Sequence, residues 1–91
     1  MAEVGWSTEA LEQLKLITEY IAQFNPAAAQ RNRDRLLALS ESLSNFPNRG
    51  RPAAFDTREM VTVRPYVLRY QVEGETVTIL GVRHAAQLSP D

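Results

Sequence analysis

The chain of 91 residues lacks cysteine and has one histidine, one lysine and one tryptophan. Without cysteine it forms no disulfide, no thiolate-bound metal centre and no cysteine nucleophile. A single histidine and no carboxylate cluster argue against a zinc site, and no cofactor is predicted. No apolar run approaches the roughly 20 residues that span a bilayer, and the N-terminus lacks a signal-peptide pattern. We therefore expect a cytoplasmic protein with no membrane partner.

Charge is nearly balanced overall but unevenly distributed. The formal net charge is −1, which argues against strong nonspecific nucleic-acid binding, and no sequence-specific nucleic-acid contact is predicted. Residues 49–83 nevertheless carry six arginines against four acids. Because arginine forms bidentate contacts with carboxylates and phosphates, this half of the chain is predicted to present a basic patch to an acidic partner.

The first half of the sequence predicts a strand followed by two helices. Residues 2–6 form a strand candidate, and Ser7 is suited to cap a helix. Asn25 and Pro26 end that helix and begin the next, since asparagine caps well and proline suits the first helical position. The short connection predicts an antiparallel helical hairpin. Its apolar residues recur at helical spacing: Leu11, Leu14, Ile17, Tyr20, Ile21, Phe24, Leu36, Leu39, Leu43 and Phe46.

The second half predicts three strands, over residues 59–64, 66–72 and 75–84. Tyr66, Leu68, Tyr70 and Val72 alternate with period two, and a turn at residues 73–74 follows them. In the last strand Val77 and Ile79 alternate on one face, whereas Leu80, Val82 and His84 fall on the opposite face. This strand is therefore either buried on both faces as a central strand paired with the N-terminal one, which we favour, or re-aimed by a bulge near Gly81.

Together these elements predict an α+β fold: an N-terminal strand, an antiparallel two-helix hairpin and a three-stranded antiparallel meander, with the helices on one face of the sheet. One domain is predicted over residues 1–84, and a flexible tail over residues 85–91. The other face of the sheet lacks a covering element. It is predicted to expose Met60, Thr62, Arg64, Val67, Arg69 and Gln71.

Several short motifs follow one another in a fixed order along the chain. They are Trp6, Tyr20-Ile21-Ala22, Asn25-Pro26-Ala27-Ala28, Pro47-x-x-Gly50-Arg51, Arg58, Pro65-Tyr66-x-Leu68-x-Tyr70-x-Val72 and Val77-x-Ile79-Leu80-x-Val82-x-His84. Each is weak alone. Their shared order and spacing over nearly the whole chain resemble the RelE/ParE superfamily of toxins from bacterial type II toxin-antitoxin modules. Three of the motifs are typical of its ParE-like branch (plasmid stabilisation proteins): Tyr-Ile-Ala, Asn-Pro-Ala-Ala and Pro-Tyr.

The resemblance implies one of two activities. RelE-like members are ribosome-dependent ribonucleases that cut messenger RNA, whereas ParE-like members poison DNA gyrase and are not known as nucleases. The leading prediction is a gyrase inhibitor that acts by protein binding and has no catalytic residues. A degenerate, non-toxic member that only binds its antitoxin is a further alternative.

A ribonuclease would need a base, an acid and cations around the phosphate. The loop before the sheet has Arg49 and Arg51 but no lysine, and Val67 stands where some nuclease members have an arginine. The catalytic candidates that remain are Arg64, Arg69, Arg83 and His84. For His84 a structural role at a strand end is favoured over catalysis.

Members of both branches are neutralised by an antitoxin whose disordered C-terminal part folds over the toxin. The resemblance therefore implies an acidic antitoxin that folds on binding. Like charges at Arg64 and Arg69 on one face are costly without a partner, which favours docking there. The predicted docking residues are Met60, Arg64, Val67, Arg69 and Arg83. Without the antitoxin, an exposed apolar surface predicts self-association to a homodimer.

Overall fold

A five-stranded sheet with two helices makes up the fold in the computed structural model, which describes residues 1–85. The strands are β1 (Glu3–Trp6), β2 (Arg51–Ala53), β3 (Thr57–Met60), β4 (Tyr66–Glu73) and β5 (Thr76–His84), and the helices are α1 (Thr8–Ala22) and α2 (Pro26–Ser42). The strand order is β1-β5-β4-β3-β2. The predicted α+β fold is confirmed, and β2 adds a short edge strand that the sequence did not predict.

Both helices begin at the predicted caps. The Ser7 side-chain oxygen accepts a hydrogen bond from the Ala10 N–H at 3.0 Å, and the Asn25 side chain accepts one from the Ala28 N–H at 3.0 Å. Pro26 is the first residue of α2, where its missing N–H costs nothing. The two helices are therefore joined by only three residues.

Strand β5 lies in the interior of the sheet and is also bulged. It pairs in parallel with β1, from Glu3 opposite Thr76 to Trp6 opposite Ile79, and antiparallel with β4. The register shifts so that Arg69 faces Gly81 while Tyr70 faces Ile79, which leaves Leu80 as an extra residue. The sequence left a central strand and a bulge as alternatives, and the structure has both. The bulge explains why the buried side passes from Ile79 to Val82.

The core lies between the helices and one face of the sheet. Its largest buried side chains come from α2, β4 and β5: Leu36, Leu43, Leu68, Tyr70, Val77, Ile79 and Val82. The stripe of α1 that packs on this core is Ala10, Leu14, Ile17 and Ile21. The helical spacing also includes Leu11, Tyr20, Phe24 and Phe46, but all four are exposed and lie outside this core.

Strand β3 ends four residues before its predicted end. Met60 is opposite Leu68, so it faces the helices and is only 6% exposed. Val67 lies on the other face of β4, as predicted, but is only 3% exposed. The expected exposure of Met60 and Val67 is therefore wrong: the cross-strand register turns Met60 inward, and neighbouring side chains cover Val67.

No helix in residues 1–85 is long and apolar enough to cross a membrane. The tail predicted over residues 85–91 lies, except for Ala85, outside the described residues.

Candidate functional site

A groove runs between α1 and the end of β5, which we call the α1–β5 groove. It has a volume of about 520 Å³ and is lined by Gln13, Leu16, Ile17, Tyr20, Tyr66, Val82, Arg83 and His84. The groove exists because β1 pairs with β5 only as far as Ile79. Beyond that point α1 lies along the strand edge, and the Gln13 side-chain oxygen accepts the Val82 N–H at 2.8 Å.

The wall of the groove that α1 supplies is apolar and exposed. Leu16 and Tyr20 are 55% and 63% exposed, and Phe24, one turn further on, is 73% exposed. The Tyr20 and Phe24 rings meet edge to face with centroids 5.4 Å apart. Residues four apart share one side of a helix, so these three side chains form a continuous apolar row. Such a row on a small domain indicates a protein-binding surface.

The opposite wall is aromatic and basic. His84 pairs with Tyr66 across the strands, and their rings meet edge to face with centroids 5.6 Å apart. Burial raises the pKa of the Tyr66 hydroxyl above its ordinary value, and the nearby Tyr20 hydroxyl raises it further. Tyr66 is therefore a neutral hydrogen-bond donor at physiological pH and does not serve as a base.

The other face of the sheet carries a row of charges that crosses three strands. Glu59 lies opposite both Arg51 on β2 and Arg69 on β4. Its carboxylate is 3.4 Å from the Arg51 guanidinium and 3.3 Å from that of Arg69. Arg64 and Arg69 were predicted to be like-charged neighbours without a partner. In the structure Arg69 is instead paired with Glu59. Sequence reasoning missed Glu59 because β2 and its register were not predicted.

The four candidate catalytic residues do not line one cavity. Arg83 and His84 line the α1–β5 groove, whereas Arg69 and Arg83 line a second cavity of about 210 Å³. Arg64 is exposed and lines neither. Within residues 1–85 no group of three or more histidine, aspartate and glutamate side chains is placed to hold a metal.

Comparison with known proteins identifies the class of protein. A family model described as the ParE toxin of the type II toxin-antitoxin system parDE matches residues 4–89. The chain belongs to the ParE toxin family. It is therefore a toxin of a type II toxin-antitoxin system within the RelE/ParE superfamily, as the sequence motifs indicated, and a toxin of this class has a cognate antitoxin.

Individual relatives agree on the class. The toxin is 49% identical over 88 residues to Toxin RelE2 of Caulobacter vibrioides, which covers 97% of this chain and 100% of the relative. It is 36% identical over 89 residues to putative toxin Y4kP of Sinorhizobium fredii, with 96% and 92% covered. A solved structure of the chromosomal ParDE system from P. aeruginosa matches with a TM-score of 0.83 at 21% identity, over 92% of this chain and 96% of that one. That match shows the shared fold.

Proposed function

We propose that this toxin inhibits DNA gyrase by protein binding, which places its action in the cytoplasm. One observation carries the proposal: the residues that a ribonuclease would need are dispersed. Arg69 is paired with Glu59 and shares only the second cavity with Arg83, His84 lines only the α1–β5 groove, and Arg64 lines neither. The match to the ParE family model supports the same conclusion.

The chemistry of the groove supports a binding role. Cleavage of RNA by its 2′-hydroxyl needs a base, an acid and cations near the phosphate. The described residues that line the groove include one arginine, one histidine and two tyrosines, Tyr20 and Tyr66. None of the described residues that line the groove is a carboxylate, and His84 supplies its single imidazole.

The RelE-like ribonuclease is the second candidate, and one observation favours it. The relative that is 49% identical carries the name Toxin RelE2. Arg83 and His84, adjacent in sequence and both in the groove, are then the residues on which cleavage would depend.

Parallel assays of the purified toxin separate the two candidates. We expect inhibition of gyrase supercoiling, or trapped cleavage complexes, and no cutting of ribosome-bound messenger RNA. If the message is cut, and His84→Gln and Arg83→Gln abolish cutting while Arg33→Gln on α2 does not, the gyrase proposal is wrong. Arg33 is a suitable control because it lies on the exposed side of α2 and lines neither the groove nor the second cavity.

We propose further that the antitoxin docks in the α1–β5 groove through an acidic, amphipathic segment. Leu16 and Tyr20 offer exposed apolar surface, and Arg83 offers a cation at the far wall. The predicted docking residues Met60 and Val67 are buried and are not part of this proposal.

The antitoxin site can be tested with two matched variants of α1. Leu16→Glu buries a charge against the docked segment and is expected to weaken antitoxin binding at least about 30-fold. Leu11→Glu is the control, because Leu11 is about equally exposed but lines a different part of the helix surface. Titration calorimetry measures both affinities. Equal loss in the two variants would show that the groove is not the docking site.

A further inference from the structure

Phe55 is held in a strained conformation at the tip of the β2–β3 hairpin. Its side chain is 92% exposed, and its backbone angles are φ 58° and ψ 38°. Asp56 follows with φ 63°. The left-handed region is unfavourable for a residue with a large side chain. The fold thus tolerates two successive strained residues and places a large aromatic ring in solvent.

The loop that carries Phe55 is fixed at its base. Ala53 and Thr57 are paired across the hairpin, and the Ala54 carbonyl accepts hydrogen bonds from both the Thr57 hydroxyl at 2.6 Å and the Thr57 N–H. Thr57 itself is buried. Because the backbone of this loop is already fixed, little backbone entropy is lost when Phe55 binds a partner.

Phe55 forms the rim of the second cavity, on the face of β4 that carries Val67 and Arg69. We call the set Phe55, Val67, Arg69, Leu80 and Arg83 the Phe55 surface. Both charged side chains that line the cavity are arginines. Arg69 is paired with Glu59, whereas Arg83 forms no ion pair with any residue in the range 1–85. An occupant of this cavity is therefore expected to carry negative charge beside apolar surface.

We propose that the Phe55 surface is a second docking site, for a protein segment in which a carboxylate neighbours an apolar side chain. The carboxylate pairs with Arg83, and the apolar group packs on Phe55 and Leu80. A protein segment fits better than nucleic acid, because binding to a phosphate backbone needs several free cations. Of the two arginines in this cavity, one is unpaired within residues 1–85, and Asp56 adds a carboxylate next to Phe55.

This inference rests on the proposed function, because it assigns the segment to the target of the toxin. The α1–β5 groove uses Tyr66 and the Phe55 surface uses Val67, which point to opposite faces of β4, so an antitoxin in the groove leaves the Phe55 ring open. Arg83 lines both cavities. An antitoxin carboxylate on Arg83 removes the cation that the target needs, which links neutralisation to loss of target binding.

The test replaces Phe55 without disturbing its backbone. Phe55→Asn suits the left-handed conformation, and Phe55→Tyr keeps a ring. Phe46→Asn is the control for loss of an exposed phenylalanine elsewhere. With purified gyrase as the probe, Phe55→Asn is expected to raise the toxin concentration for half-inhibition at least about 30-fold. Phe55→Tyr and Phe46→Asn are expected to stay near the original value, as is the affinity of Phe55→Asn for the antitoxin.

Several results would overturn the inference. Unchanged gyrase inhibition by Phe55→Asn would do so, and so would a loss of antitoxin affinity as large as the loss of inhibition. The inference would also be wrong if the unmodified toxin bound an RNA oligonucleotide or formed a homodimer and Phe55→Asn abolished that binding or that dimer. If the unmodified toxin does not inhibit gyrase, the proposed function fails by itself. Growth arrest on induced expression then tests the Phe55 surface. Relief of arrest by Phe55→Asn, but not by Phe55→Tyr or Phe46→Asn, supports the second docking site, and persistent arrest with Phe55→Asn refutes it.

Discussion

The hydroxyl group of Tyr70 joins the loop after α2 to the sheet. It donates to the Pro47 carbonyl at 2.8 Å and accepts the Gly50 N–H at 2.9 Å, while the ring is fully buried. A Cβ at Gly50 would lie 2.7 Å from the Tyr70 oxygen, so only glycine allows this approach. The Tyr70 hydroxyl thus fixes the turn that connects the helices to the sheet, through its hydrogen bonds with Pro47 and Gly50.

Tyr70→Phe should lower the free energy of unfolding by about 1–3 kcal/mol, because the buried Gly50 N–H loses its acceptor. Urea denaturation measures the change. Tyr20→Phe is the control, since that hydroxyl lies on an exposed side chain, and it should change stability little. Equal stability of the Tyr70→Phe variant and the unmodified toxin would mean that another group replaces the hydroxyl.

Tyr66 makes stability sensitive to alkaline pH. Its pKa is raised in the folded state, chiefly by burial, above the ordinary value of 10.0, so the folded state holds this proton more tightly than the unfolded chain does. The stabilisation is complete below pH 10.0 and is lost as pH rises through the folded value. Tyr66→Phe should therefore show a smaller alkaline loss of stability in urea titrations than Tyr20→Phe does. The same alkaline loss in both variants would contradict the assignment.

At the scale of the elements, Ser7 connects three of them. It follows β1, caps α1, and donates its N–H to the Ile79 carbonyl at 2.9 Å and its hydroxyl to Leu80 at 3.4 Å. Asn25 caps α2 in a solvent-exposed turn and forms no such hydrogen bond with the sheet within the described residues.

Ser7→Ala should destabilise the domain by about 1–2 kcal/mol, at the upper end for loss of a cap. Asn25→Ala, the matched control, should cost less because it removes the cap alone. Thermal unfolding of the two variants compares them. A larger loss at Asn25 would show that the contacts of Ser7 with β5 contribute nothing.

Elements with strong local signals could be predicted from the sequence. The two caps and the alternation of β4 belong to this group, because each depends on residues close together in the chain. Strands β2 and β3 have only three and four residues, which is too short for a period to show. A phenylalanine in a left-handed turn gives no signal at all, so Phe55 was missed.

The candidate site shows the same division. Arg83 and His84 were identified because they lie on a recognisable strand. Gln13, Leu16 and Glu59 were not, since their roles depend on contacts between distant parts of the chain: Gln13 with Val82, and Glu59 with Arg51 and Arg69. The sequence alone does not distinguish a bulge near Leu80 from a strand that is buried on both faces, because both place apolar residues at odd and at even positions.

For the whole molecule, the apolar row on α1 predicts self-association of the free toxin. Leu16, Tyr20 and Phe24 lie side by side and are all more than half exposed, and a contiguous apolar patch of this kind marks an interaction site. Light scattering after gel filtration should show a mass that rises with concentration and falls when Tyr20→Glu is introduced. Leu11→Glu should leave the association unchanged. A constant monomer mass at every concentration would contradict this prediction.

The parallel pairing of β1 with β5 has a consequence for synthesis of the toxin. Glu3 is synthesised long before its strand partner Thr76. Strand β1 therefore has no strand to pair with until β5 has been translated. Because β5 also supplies Leu80, Arg83 and His84, a nascent chain carries neither docking surface. A message broken before the codon for Thr76 therefore encodes a chain that lacks β5 and, with it, both proposed docking surfaces.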